Sequence, residues 1–121
     1  MGKIIKVTAD GCISTIEVTK EFLEYEELKE ITSDLRWYEM VRANTWDDLY
    51  MVVDEEGLIK GLPLNKIASA FYGYSAFATL VGSVYFMIMG ASDEGPELRT
   101  MTENEYKKTM AMINEVKEAL K

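Results

Sequence analysis

The chain has no histidine and one cysteine, Cys12, among its 121 residues. A Ser–His–Asp triad, a Cys–His dyad and a His-ligated metal are therefore excluded. A single cysteine cannot form an internal disulfide, so we interpret Cys12 as a small packed or half-exposed residue beside a turn.

Long apolar runs are also absent. The longest apolar-leaning run, residues 76–89, is interrupted by Gly82 and Ser83 and is too short to span a bilayer. The first residues lead into a strand-like pattern rather than into the apolar segment of a signal peptide. We therefore expect a soluble cytoplasmic protein that does not contact a membrane.

Positive charge is scarce, because 13 Lys and Arg residues stand against 21 Asp and Glu, for a formal net charge of −8. Direct binding to nucleic acid or to anionic lipid is disfavoured, because their phosphate groups would repel the negatively charged protein. In most small acidic proteins the net negative charge serves only solubility. The alternative is an acidic surface that competes with nucleic acid for a basic groove of a partner protein.

The first half of the chain has strand-rich patterning. Residues 3–8 and 13–18 read as two strands around an Asp10-Gly11 hairpin turn. Thr19 is the predicted N-cap of a helix that ends near residues 32–34, with acidic residues over much of its surface. Two further strands are predicted over residues 37–42 and 49–53, the second of them central in the sheet.

The second half predicts a short helix from Asn65, its cap, to Phe71, then a last strand over residues 80–89 and an acidic loop over residues 90–96. Thr102 and Glu105 form a capping box that opens an amphipathic helix reaching the C-terminus. The sequence thus predicts one α+β domain, residues 1–121, in the order ββαββ(β)αβα. Its antiparallel-dominated sheet has about five strands, covered by two longer helices and one short helix.

Residues 54–65, which we call the 54–65 segment, are the most distinctive part of the chain. They form an Asp-Glu-Glu-Gly turn, a short apolar step, a second glycine and a Leu-Pro-Leu-Asn exit. Glycine admits positive φ, and proline gives no backbone donor to a sheet. We predict a structural role for Gly57, Gly61, Pro63 and Asn65.

This segment resembles a family of small proteins known as domain of unknown function 3846. The family has an Asn/Asp-Glu-Glu-Gly turn followed by Gly-Leu-Pro-x-Asn, which match Asp54, Glu55, Glu56, Gly57, Gly61, Leu62, Pro63 and Asn65. Leu80-Val81-Gly82 and Thr100-Met101-Thr102 match two weaker features of the family. The aromatic stretch 68–79 departs from it, because the family usually passes from Asn to strand more directly.

The resemblance indicates the kind of genome that encodes such proteins, but it indicates no catalytic activity. The family occurs mainly in bacteriophages, plasmids and related mobile elements, and it has no established activity from which functional residues could be transferred. Genes in that setting often act on host processes or host defences, so the resemblance implies a counter-defence or modulatory role in the host cytoplasm.

The clustered acids are the candidates for chemistry. Asp47, Asp48 and residues 54–56 carry the oxygen ligands that Mg²⁺ or Ca²⁺ prefers, but EF-hand spacing is absent. We therefore interpret these acids as charged residues of solvent-exposed turns rather than as ligands of a cation. We predict no catalytic residue, no metal ligand and no cofactor.

Aromatic residues in loops suggest an interface. Trp46 lies in a predicted turn beside acids, where a tryptophan is a suitable interface anchor, and Tyr72, Tyr74 and Phe77 make a second patch around Gly73. The predicted partner-binding residues are Trp46, Asp47, Asp48, Asp54, Glu55, Glu56, Tyr72, Tyr74 and Phe77.

The favoured hypothesis is a small non-enzymatic protein that binds a host or defence protein and inhibits or modulates it. If the target handles nucleic acid, carboxylates of residues 21–30 and 47–56 would stand in for phosphates. One alternative is a small-ligand or nucleotide binder with a pocket near residues 57–65 and 72–77. Another is a metal-dependent hydrolase, which the sequence favours least. Self-association also stays open, since a sheet edge and a Met-rich helix are available for it.

Overall fold

The computed structural model describes residues 2–35, 38–43, 48–54, 56, 60–72 and 79–120. Within these ranges the chain forms six strands and three helices: β1 (Gly2–Val7), β2 (Ile13–Val18), α1 (Tyr25–Ile31), β3 (Tyr38–Arg42), β4 (Leu49–Asp54), α2 (Lys66–Ser69), β5 (Val84–Ser92), β6 (Gly95–Arg99) and α3 (Glu103–Ala119).

The six strands form one antiparallel sheet in the order β2-β1-β5-β4-β3, with β6 also paired to β5. Strand β5 is the organising strand. Its first residues pair with β1, its last five pair with β6, and β4 runs along its other edge. The predicted α+β class is confirmed, and so is the interior position of β4.

Helices α2 and α3 cover one face of the sheet. The capping box predicted at Thr102 and Glu105 is present, and Ile113 is fully buried against the core on this face. That core includes Phe86 from the sheet and Phe71 beside α2, whose rings meet edge to face at 5.3 Å. The amphipathic pattern of the last helix therefore positions it as expected.

Helix α1 packs on the opposite face, over a second core cluster. Leu28 of the helix is buried there with Val52, Tyr85 and Leu98 of the sheet. The Tyr85 hydroxyl donates to the Asp34 carboxylate, which also lies 3.2 Å from the Lys6 ammonium. Burial and this carboxylate together raise the pKa of Tyr85 far above its ordinary value.

The predicted start of the first helix is wrong. Thr19 does not cap it, because α1 begins at Tyr25, six residues later. Residues 20–23 pair with the end of β6 instead. The Thr100 N–H donates to the Glu21 carbonyl at 2.8 Å, and the Leu23 N–H donates to the Leu98 carbonyl at 3.3 Å. Tertiary pairing overrides the local capping pattern here.

The predicted acidic loop over residues 90–96 is also wrong. Strand β5 continues to Ser92 and turns tightly into β6, which makes the sheet six-stranded rather than five-stranded. Gly95 has a φ of 108°, which only glycine adopts readily, and it closes the turn opposite Ser92. Strand β5 begins at Val84 rather than at residue 80, because residues 80–82 turn towards the 54–65 segment.

Arg99 joins the end of β6 to the first turn of α3. Its guanidinium donates two hydrogen bonds of 2.7 Å to the Glu105 carboxylate. The hydrogen bonding to Arg99 lowers the pKa of Glu105, and this bidentate pair is only partly exposed.

We predict that Glu105→Gln lowers the free energy of unfolding by about 1–2 kcal/mol at pH 7. Glutamine keeps one acceptor oxygen for the Thr102 N–H of the capping box, but it lacks the charge and the second acceptor that Arg99 uses. Because the pKa of Glu105 is lowered by folding, its stabilisation is complete above the ordinary pKa of 4.5 and is lost as pH falls through the folded-state pKa.

Urea denaturation at pH 7 and near pH 3 measures this. The difference between the two proteins should be largest at pH 7 and should shrink in acid. The exposed Glu115→Gln change in the same helix is the control and should be nearly neutral. An equal loss at both pH values would contradict the assignment.

Candidate functional site

The carboxylate of Asp54 is not part of an exposed acidic surface. Its side chain is 1% exposed, and its Oδ2 lies 2.6 Å from Lys60 Nζ. Its other oxygen accepts the Glu56 N–H at 2.9 Å. Asp54 thus holds the turn that opens the 54–65 segment, and Glu56 takes part in that turn through its backbone.

The exit of this segment is held to residues 80–82. Gly61 turns the chain with a φ of 69°. Beyond it, the Pro63 carbonyl accepts the Gly82 N–H at 2.9 Å, and Leu64 forms an isolated bridge with Val81. Gly82 has a φ of 75°, and a Cβ there would lie 2.9 Å from the Leu62 side chain, so this position favours glycine.

Asn65 joins three parts of the fold through one buried side chain. Its amide nitrogen donates to the carbonyl of Val7 at 3.0 Å and to that of Gly82 at 2.9 Å. Its amide oxygen accepts the Ala68 N–H at 3.0 Å and so caps α2, as predicted. The residue is 1% exposed, so a ligand has no access to it.

Of the remaining predicted partner-binding residues, the structure describes Asp48 and Tyr72. Asp48 is exposed, and its charge acts on Arg99 together with those of Glu105 and Glu21. Tyr72 is half-buried against the core under α3. Trp46, Asp47, Glu55, Tyr74 and Phe77, with the motif residue Gly57, lie outside the described residues.

Asp54 and Tyr72 do line one cavity, of about 130 Å³, with Glu39, Val41 and Leu80 among the other residues. Ligand pockets commonly measure about 300–1,000 Å³, so this cavity is too small for a nucleotide. Two carboxylates among the lining residues also oppose binding of phosphate.

The described ranges contain no group of three Asp, Glu, Cys or His residues that could hold a metal ion. None of the helices described is long and apolar enough to cross a bilayer. Cys12 is exposed, in the turn between β1 and β2.

The acidic residues gather instead around α1 and the β5–β6 hairpin. Glu26 and Glu30 are exposed and point away from Leu28, since 100° per residue places them on the opposite side of α1. Asp93 and Glu94 lie in the hairpin turn, and Glu24 lines a depression together with both of them. We call Glu24, Glu26, Glu30, Asp93, Glu94 and Glu97 the acidic face.

The acids of α1 were recognisable from the sequence, whereas the contribution of the hairpin was not. Residues 90–96 read as a loop, because the tight turn at Asp93 and Glu94 that returns β6 beside β5 was not recognised. The pairing of β6 with β5 and with residues 20–23 brings Glu24 beside Asp93, Glu94 and Glu97.

Residues 2–114 match the family model described as domain of unknown function, DUF3846. The chain belongs to this family. The DUF3846 match spans the chain from β1 into α3 and includes the 54–65 segment, so the resemblance read from that segment is confirmed. No curated protein and no solved structure shows a significant match to this chain.

We predict that Asn65→Ala lowers the free energy of unfolding by about 2–4 kcal/mol, because it leaves buried backbone groups at three places without their partner. Chemical denaturation measures the loss. Asn114→Ala, at an exposed position of α3, is the matched control and should change stability by less than about 0.5 kcal/mol. If the two variants were equally stable, the stabilising role assigned to the hydrogen bonds of the Asn65 side chain would be wrong.

Proposed function

We propose that this protein is a non-enzymatic binding protein whose acidic face docks on a basic surface of a partner protein. The observation that carries the proposal is the concentration of exposed carboxylates on α1 and the β5–β6 hairpin. Between residues 20 and 30 five glutamates accompany two lysines. Lys20 is bound to Glu27 at 3.0 Å, and Lys29 lies 5.8 Å from the centre of the Tyr25 ring.

Glu26, Glu30 and Glu94 have no ion pair within the described part of the chain. Five other carboxylates there, such as Glu103 and Glu105, are each held by a lysine or arginine. Glu26 and Glu30 stand one turn apart on α1, where like charges repel one another, and a basic partner would relieve that repulsion. Such a surface also steers a partner of opposite charge during its approach.

The partner we favour is a host or defence protein that handles nucleic acid, which the acidic face would inhibit by occupying its phosphate-binding groove. The support is the charge of the face, together with the expectation of a mobile-element setting that was drawn from the family resemblance. Direct binding of this chain to DNA or RNA is not proposed, since its own charge opposes it.

A nucleotide-binding function is the second candidate, and it has less support. The cavity beside the 54–65 segment measures about 130 Å³ and is lined by Glu39 and Asp54. Calorimetry with a panel of nucleotides tests it directly, and saturable heat would favour it over protein binding. A hydrolase that uses the acids of residues 54–56 has still less support, because the Asp54 carboxylate is buried against Lys60.

We predict that Glu26→Gln/Glu30→Gln weakens partner binding about threefold to tenfold, since each lost charge removes a modest part of the attraction. The immobilised protein is exposed to a bacterial lysate at about 0.05 and 0.5 M salt, and captured proteins are quantified by mass spectrometry. The captured set should be enriched in basic proteins, decrease with salt and be displaced by duplex DNA.

Glu115→Gln/Glu118→Gln removes the same charge from exposed positions of α3 and is the matched control. It should retain capture. If capture were insensitive to salt, or if both double variants lost it equally, the acidic face would not be the docking surface. If DNA failed to displace the captured proteins, the target would not be held through a nucleic-acid groove.

A further inference from the structure

The two faces of the sheet are covered unequally. Helix α3 has 17 residues and α1 has 7, which correspond to lengths of about 25 and 10 Å at 1.5 Å per residue. Strand β5, with nine residues, is about 30 Å long. Helix α1 therefore reaches along only part of its face, and the sheet beyond it has no helical cover from the described residues.

Apolar side chains are exposed where that cover ends. Tyr25 of α1 is 56% exposed and Met40 of β3 is 48% exposed, although both lie beside a core cluster. With Tyr38, Met89 and Pro96 they line a depression of about 450 Å³, whose floor includes the buried residues Leu23, Leu28 and Leu98.

A second depression, of about 300 Å³, adjoins the first between the start of α1 and the β5–β6 turn. The two share Leu23, Glu24, Glu94 and Glu97. We call these two adjoining depressions together the trough.

The charge around the trough restricts what can enter it. Glu24, Glu94 and Glu97 line both parts, and Asp93 lines the second. Among the described residues that line the trough the one cation is Lys20, which is bound to Glu27, and Lys29 lies above the ring of the lining residue Tyr25. An apolar segment with basic residues along its edges could pack on the leucines of the floor and pair with the carboxylates around them. An acidic segment would be repelled by those carboxylates.

We propose that this trough receives an amphipathic α-helix of the partner protein, with an apolar stripe bordered by Lys or Arg. The proposal rests on the proposed function and specifies the element of the partner that docks. A helix is about 10 Å wide, and packed helices lie 8–10 Å apart. A helix laid beside α1 would therefore complete the short helical layer on this face, as α2 and α3 do on the other.

The test uses synthetic 18-residue peptides and fluorescence anisotropy with the full chain. Three peptides carry Leu, Phe or Met at positions i, i+3, i+4 and i+7 with lysines on both sides of this stripe. Each has a partner peptide of the same composition, scrambled so that the stripe is lost while the charge is kept.

At least one striped peptide should bind at least tenfold more tightly than its scrambled partner. Tyr25→Ala and Met40→Ala, tested separately, should each weaken the striped peptide about threefold to tenfold. Leu64→Ala and Leu120→Ala remove comparably exposed apolar side chains outside the trough and should leave binding unchanged. Thermal melting of each variant confirms that it is folded.

The outcomes separate the trough from the acidic face. If striped and scrambled peptides bind equally, and Glu26→Gln/Glu30→Gln weakens both, the acidic face stands and the trough does not. Absence of micromolar binding by every striped peptide would also overturn the trough. So would a dimer in sedimentation that Met40→Ala dissociates, since a second copy would then be the occupant.

Discussion

The fold depends on one buried amide. Asn65 bonds the last residue of β1, the turn at Gly82 and the first turn of α2 at the same time. A four-residue helix such as α2 is too short to be stable by itself, so its position is set by this side chain and by its packing. Because residues 80–82 lead directly into β5, the amide also fixes where the central strand enters the sheet.

The constraint at Asn65 gives the described residues of the most distinctive segment a structural role. Asp54 is enclosed by Lys60 and by the turn it supports, and Asn65 is inaccessible. Pro63 contributes a carbonyl and Gly61 a backbone turn. On the face of the sheet that carries α1, this short helix and the tight β5–β6 hairpin place acidic groups beside exposed apolar side chains.

The sequence correctly predicted the features that depend on interactions between residues close together in the chain. The Asp10-Gly11 turn, the Asn65 cap and the Thr102–Glu105 box each act within a few residues, and all three are present. The start of α1 was missed because it depends on pairing with residues about 80 positions away. Strand β6 was missed although only the turn at Asp93 and Glu94 separates it from β5. The acidic face follows from that pairing, so the acids of the helix were foreseeable but their meeting with Glu94 and Glu97 was not.

The central claim is that a partner docks on the face of α1 and the β5–β6 hairpin, away from the 54–65 segment. Hydrogen exchange of the protein, measured with and without a captured partner, tests this most directly. The account predicts slower exchange in residues 23–31 and 89–98 and no change at Asn65 and its neighbours. Protection confined to residues 54–72, with α1 and the hairpin unaffected, would contradict it.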